Sequence, residues 1–229
     1  MGKKPSNKLD YLLASVKSEQ QAEANQIKSK KRVEDHGEVF TPSTTVRSML
    51  DLVKDESERI DSRFLEPACG SGNFLIPVLQ RKLETAKKRY SHSSFEEEQY
   101  SLLALMSIYG IEILDDNVEE CRKRLLATLS GSLHLSEELI RAAGAVLRLN
   151  IINGDALKMK TANGEDIVFS EWGYLGKGKF QRREFTFNTL TLSSTFSDSD
   201  SLFSSLERHE VFMPIKTHPQ LSVSDLAAI

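Results

Sequence analysis

Apolar and polar residues follow one another along this chain in blocks that switch between two periods. Leu9, Leu12, Leu13 and Val16 recur at helical spacing before the sequence turns polar, so residues 8–31 read as an amphipathic helix. His36-Gly37-Glu38-Val39-Phe40-Thr41-Pro42 breaks it. Ser43 or Thr44 can cap a second helix reaching about Lys54, with Val46, Met49, Leu50 and Val53 on one face. The charged residues 55–62 read as a loop. A short strand at 63–66 runs into a Gly/Ser turn, and a helix over 73–90 follows with Phe74, Leu75, Val78, Leu79 and Leu83 as its buried stripe. After a surface loop at 91–94, a helix over 95–107 leads into an apolar strand at 109–113. Asp115-Asp116-Asn117 opens the next helix, which carries Val118, Cys121, Leu125 and Leu126. A further helix spans 136–147, residues 150–155 form a third strand and its turn, and 166–169 is a candidate fourth. No internal repeat is evident.

Strands alternating with helices imply a parallel sheet with helices on its faces, half of a doubly wound α/β fold. Beyond residue 175 the pattern dissolves, and the Ser- and Thr-rich residues 186–205 read as a loop. The expected organisation is therefore a helical arm at 1–32, an α/β domain at 33–175 and a C-terminal extension at 176–229.

Composition narrows the class. Of 229 residues, 39% are hydrophobic and 28% charged, which suits a globular domain with a core. No apolar run approaches the length of a membrane span, and the opening MGKKPSNKLD has no apolar segment of a secretory signal, so a cytoplasmic location is expected. Cys69 and Cys121 are too few for a disulfide framework and are expected as free thiols; no His/Cys spacing suggests a metal site. The net charge is −3, but Lys3, Lys4, Lys8, Lys17, Lys28, Lys30, Lys31 and Arg32 outnumber the acids of the arm. Such an arm can track phosphates or form a solvated helix face. The same two readings apply to Gly176-Lys177-Gly178-Lys179-Phe180-Gln181-Arg182-Arg183.

Candidate chemistry falls at three consecutive strand ends, where doubly wound sheets bind ligands. In Ala68-Cys69-Gly70-Ser71-Gly72, the glycines let the backbone approach a ligand, and the helix that follows aims its first N–H groups there, which favours a carboxylate. Glu112 can accept hydrogen bonds from ribose hydroxyls, and Asp155, in Asn153-Gly154-Asp155-Ala156-Leu157, can accept from an adenine amino group. A dinucleotide site fits less well: the third glycine of GxGxxG is absent, and Glu112 lies far beyond the customary acid.

These residues resemble the N6-adenine DNA methyltransferases of restriction–modification systems. The run Gly37-Glu38-Val39-Phe40-Thr41-Pro42 looks like that family's segment over the methionine end of the cofactor. Leu65-Glu66-Pro67-Ala68-Cys69-Gly70-Ser71-Gly72-Asn73-Phe74-Leu75 is similar to its cofactor loop, Tyr109-Gly110-Ile111-Glu112-Ile113 to its ribose strand, and Asn153 to Leu157 to its adenine turn. The resemblance covers about residues 32–160 and implies a partial Rossmann-like methyltransferase fold that binds S-adenosyl-L-methionine. It implies that Phe40, Thr41 and Pro42 line the methionine pocket. Glu66, Pro67, Ala68, Gly70 and Gly72 would meet the amino and carboxylate groups, Glu112 the ribose, Ile113 the adenine face, and Asp155 and Ala156 its edge.

The family's Asn/Asp-Pro-Pro-Tyr/Phe motif is missing from this sequence. The nearest positional match is Ser170-Glu171-Trp172-Gly173-Tyr174, which reads first as a loop packed on the core and otherwise makes Glu171 and Tyr174 the catalytic candidates. The sequence thus reads as a methyltransferase acting on adenine N6 in DNA, or as its cofactor-binding part. The alternatives are a non-catalytic cofactor-binding subunit completed by a partner and a small-molecule methyltransferase. The implied partners are DNA and a second methyltransferase, specificity or restriction subunit.

Overall fold

A computed structural model describes residues 31–32, 34, 41–133, 135–195 and 213–229. The chain divides into two compact units, Met1–Met49 and Leu50–Ile229. Phe40 and most of the basic arm lie outside the described residues. In the first unit Thr41 and Pro42 are exposed, and the Pro42 carbonyl accepts from the Val46 N–H at 3.0 Å, which starts helix α1, Ser43–Leu52.

The second unit opens with a difference from the sequence expectation. Residues 55–62 do not form a continuous loop, because Lys54–Glu58 is a short helix, α2. Asp55 and Glu56 stand in its first turn, where carboxylates favour helix formation. Strand β1, Phe64–Glu66, follows, and helix α3, Leu75–Tyr90, buries Leu75, Val78, Leu79, Leu83 and Ala86. Helix α4, Ser94–Met106, begins where the Ser93 hydroxyl accepts from the Glu96 N–H. It leads to β2, Ile108–Glu112, which is buried along its whole length as the middle strand of a parallel trio must be. Helices α5, Asp115–Ser132, and α6, Glu137–Asn150, precede β3, Ile151–Asp155.

These elements form a mixed sheet in the order β1-β2-β3-β4, where β4 is Lys160–Thr161. β1 and β3 both run parallel to β2, and β4 returns antiparallel to β3. The α/β class and parallel pairing therefore match the expectation from alternating periods.

The expected fourth strand does not join this sheet. Residues 168–176 form β5, Val168–Gly176, which pairs antiparallel with β6, Lys179–Thr186, and β6 pairs with β7, Lys216–Thr217. Joining a parallel sheet requires a long crossover, whereas Gly176, Lys177 and Gly178 all adopt positive φ (84°, 51° and 71°) and close a tight hairpin. Segment 170–174 is accordingly strand rather than loop, and the division expected at 175/176 runs through the hairpin. Order also extends beyond 175, through helix α7, Phe187–Thr195, and helix α8, Val223–Ala227. Leu226 of α8 is buried, and Ser222 and Asp225 form a capping box. Such short elements carry too few residues to show a period. Among the described residues no helix is long and apolar enough to cross a membrane.

Two buried hydrogen-bond hubs tie the hairpin to the parallel sheet. The Tyr109 hydroxyl donates to the Ser170 carbonyl at 2.9 Å. Asn150 donates to the carbonyls of Met106 and Ile108 and accepts from the Trp172 indole at 3.0 Å. All are buried, so an unmade partner at either hub would cost about 1–3 kcal/mol.

Candidate cofactor site

The loop after β1 is built by its own backbone. Cys69 donates its N–H to Ile111 of the neighbouring strand at 3.0 Å, and Gly72 donates to Cys69 at 2.9 Å. The intervening turn holds Gly70 at φ 52° and Gly72 at φ 89°. Gly72 has a second reason to lack a side chain: a Cβ there would lie 2.9 Å from Cys121 Sγ on α5. Its carbonyl then accepts from Ile76, so the turn passes directly into α3.

Glu112 at the end of β2 reaches across to this loop. Its Oε2 accepts from the Gly70 N–H at 2.8 Å, and its Oε1 accepts from the Leu114 N–H at 2.9 Å. The carboxylate is almost buried and joins two strand ends 42 residues apart in sequence. Asn153 fixes the third strand end, since its side-chain amide donates to the carbonyls of Glu112 and Ile113 at 3.0 and 3.1 Å. Ile113 itself is exposed, as an apolar side chain beside a ligand site would be.

Arg124, from α5, grips the loop from its other side. One guanidinium nitrogen donates to the Ser71 carbonyl at 2.7 Å, the Ser71 hydroxyl at 3.0 Å and the Asn73 side-chain oxygen at 2.8 Å. Neither Arg124 nor Asn153 stands out in the sequence. Arg124 sits in the basic run Arg122-Lys123-Arg124, which reads as a solvated face. The available signal is its position three residues after buried Cys121, which puts both on the same side of the helix.

The acids differ in their surroundings. Burial raises the pKa of Glu66 above the usual carboxylate range, and the Ala68 N–H partly offsets this. Asp155 is held below its usual value by Lys158, whose ammonium lies 3.1 Å away, and by the N–H groups of Lys158 and Leu157. Its carboxylate thus closes its own turn, with Ala156 half-buried beside it. Pro67 and Ala68 are exposed at the head of the loop. Cys69 and Cys121 are free and buried; the neighbouring Cys121 thiol and burial push the Cys69 thiol upward, so it stays protonated and unreactive.

Glu171 and Tyr174 stand elsewhere, on β5. The Glu171 carboxylate lies between Arg63 at 2.9 Å and Arg183 at 2.5 Å. The Tyr174 hydroxyl accepts from the Gly178 N–H at 3.2 Å, and its ring packs against Tyr100 and Phe180. Three residues apart on a strand, the two side chains point to opposite faces and do not converge.

A continuous stretch, residues 26–138, matches the family described as N-6 DNA methylase, and it takes in the loop, Glu112 and Arg124. Over those residues the chain is similar to the N-6 DNA methylase family. The chain also has a relative in Methanocaldococcus jannaschii, a protein carrying the provisional name of a type II restriction enzyme and methyltransferase. It is 36% identical over 108 residues, a match that takes in 46% of this chain and 9% of that protein. No solved structure matches the chain.

Proposed function

We propose that this chain binds S-adenosyl-L-methionine at the loop after β1 and serves as the cofactor-binding part of an adenine-N6 DNA methyltransferase in a restriction–modification system. The observation that carries the reading is the 2.8 Å hydrogen bond from Gly70 to Glu112, which brings the glycine loop, a strand-end carboxylate and the start of a 16-residue helix to one place. In this reading the parallel sheet is part of a Rossmann-like fold. The residues present suit the cofactor. A carboxylate fits the N-terminus of α3 and the Gly70–Gly72 turn. Each Glu112 oxygen accepts one N–H and retains a lone pair for a ribose hydroxyl. Exposed Ile113 suits the adenine face, Asp155 and Ala156 its edge, and Glu66 the amino group. When bound, the cofactor supplies a transferable methyl group.

Transfer to adenine also needs groups that hold the amino nitrogen of a flipped base. The six prolines of this chain include no adjacent pair, and β5 occupies the place after β3 where the family's motif is expected. We assign that role to groups outside residues 1–229, such as those of a second methyltransferase, specificity or restriction subunit, with DNA as substrate. The basic arm at 1–32 would add salt-sensitive DNA affinity.

The test is calorimetry of the full chain with S-adenosylhomocysteine, then a DNA adenine-methylation assay with and without a neighbouring gene product carrying Asn-Pro-Pro-Tyr. The expectation is binding by the chain alone and methylation only by the pair. No binding rejects the cofactor reading. Robust methylation by the chain alone rejects the partner and returns Glu171 and Tyr174 as catalytic candidates.

A further inference from the structure

We infer that Arg124 is a positioning residue for the amino-acid end of the cofactor: it sets the loop that receives the carboxylate, while the nucleoside end is held without it. This rests on the cofactor reading above and adds to it a residue whose effect is confined to one half of the ligand.

The geometry separates the two halves. The Leu114 N–H holds the Glu112 carboxylate at the end of β2, and Asn153 joins the ends of β2 and β3, where the ribose and base would lie. The Arg124 guanidinium meets Ser71 and Asn73 instead, which belong to the turn between β1 and α3. Two of its three acceptors are the carbonyl and the hydroxyl of Ser71, so it holds both the backbone and the side chain of the residue between the two glycines. That residue must stay in place if the turn is to hold the start of α3 open to a ligand, because flanking glycines resist little on their own. Among the described residues no carboxylate lies within 4.0 Å of this guanidinium in an ion pair. Its three acceptors here are neutral, so its positive charge adds to that of the helix start rather than being cancelled. A carboxylate arriving at the turn is attracted by both charges without touching the guanidinium.

The experiment compares two ligands on the full chain. S-adenosylhomocysteine has both halves; 5′-methylthioadenosine lacks the amino-acid end. Dissociation constants are measured for the unaltered chain, Arg124→Ala, Arg124→Lys and the acceptor variant Ser71→Ala/Asn73→Ala, with thermal melts of each. Arg124→Ala should weaken S-adenosylhomocysteine about tenfold or more, the scale of a lost charged hydrogen bond, and leave 5′-methylthioadenosine within about twofold. Arg124→Lys, which keeps charge but loses the planar fork, should recover part of the loss. The acceptor variant should shift in the same selective direction. If the unaltered chain binds neither ligand, the cofactor reading itself falls, and this inference with it. If the unaltered chain binds both and Arg124→Ala either binds both unchanged or loses both equally, the cofactor reading stands and the assignment of Arg124 is wrong. Should Arg124→Ala fail to melt cooperatively, the acceptor variant decides: a selective loss supports the assignment and an unselective or absent one overturns it.

Discussion

Replacing Gly72 by alanine perturbs the cofactor loop in two separable ways. At φ 89° a Cβ is strained whatever surrounds it, at about 1–2 kcal/mol. The same Cβ would lie 2.9 Å from Cys121 Sγ and 3.6 Å from Ile76 Cδ1. Cys121 is fully buried on an 18-residue helix, so overpacking adds about 1–3 kcal/mol. Together these amount to roughly 2–5 kcal/mol, a large part of the 5–15 kcal/mol that keeps an ordinary domain folded. Urea unfolding followed by circular dichroism measures the total. A cycle with Cys121→Ala separates the parts, because shortening the cysteine removes the collision and leaves the dihedral strain. The double variant should be less destabilised than the sum of the singles by about 1–3 kcal/mol. A loss under about 1 kcal/mol in Gly72→Ala, or strict additivity in the cycle, would show that loop and helix are not in the contact described.

Two further predictions concern charged groups. Glu112→Gln keeps the side chain's shape but turns one acceptor of the Gly70 or Leu114 N–H into a donor, so S-adenosylhomocysteine affinity should fall by about 1.5–3 kcal/mol in calorimetry, and an unchanged affinity would detach Glu112 from the site. Lys82 is buried beneath β1, where its ammonium donates to Ile60, Ser62 and Ser107, and burial lowers its pKa from 10.5 to about 7. The unfolded chain therefore binds the extra proton between those values, so this group makes stability rise as pH increases from about 7 towards 10.5; urea midpoints of Lys82→Met should lose that rise, and an identical pH profile would contradict the shift.

Much of the candidate site was legible in the sequence. Local periodicity reports which face of a segment is buried, so the order strand, glycine turn, helix, strand and acid could be read directly, and with it the positions of Gly70, Gly72, Glu112 and Asp155. Alternation between the two periods also indicated parallel pairing, because strands joined by helices can return in the same direction. What periodicity does not report is which buried face meets which. The apolar residues 166–169 suit a parallel strand and a hairpin equally; three consecutive positive-φ residues at Gly176, Lys177 and Gly178 decide for the hairpin, and that choice carries Glu171 and Tyr174 away from each other. Polar grips are hidden for the same reason. Asn150 looks like an ordinary helix-end residue until Trp172 arrives from another sheet, and Arg124 looks like one of three solvated cations until α5 is laid beside the β1 turn. A hydrogen bond between segments distant in sequence depends on distances that exist only after packing. The glycine turn and the acid beside it were therefore readable from the chain, and only the tertiary structure decided what holds that turn in place.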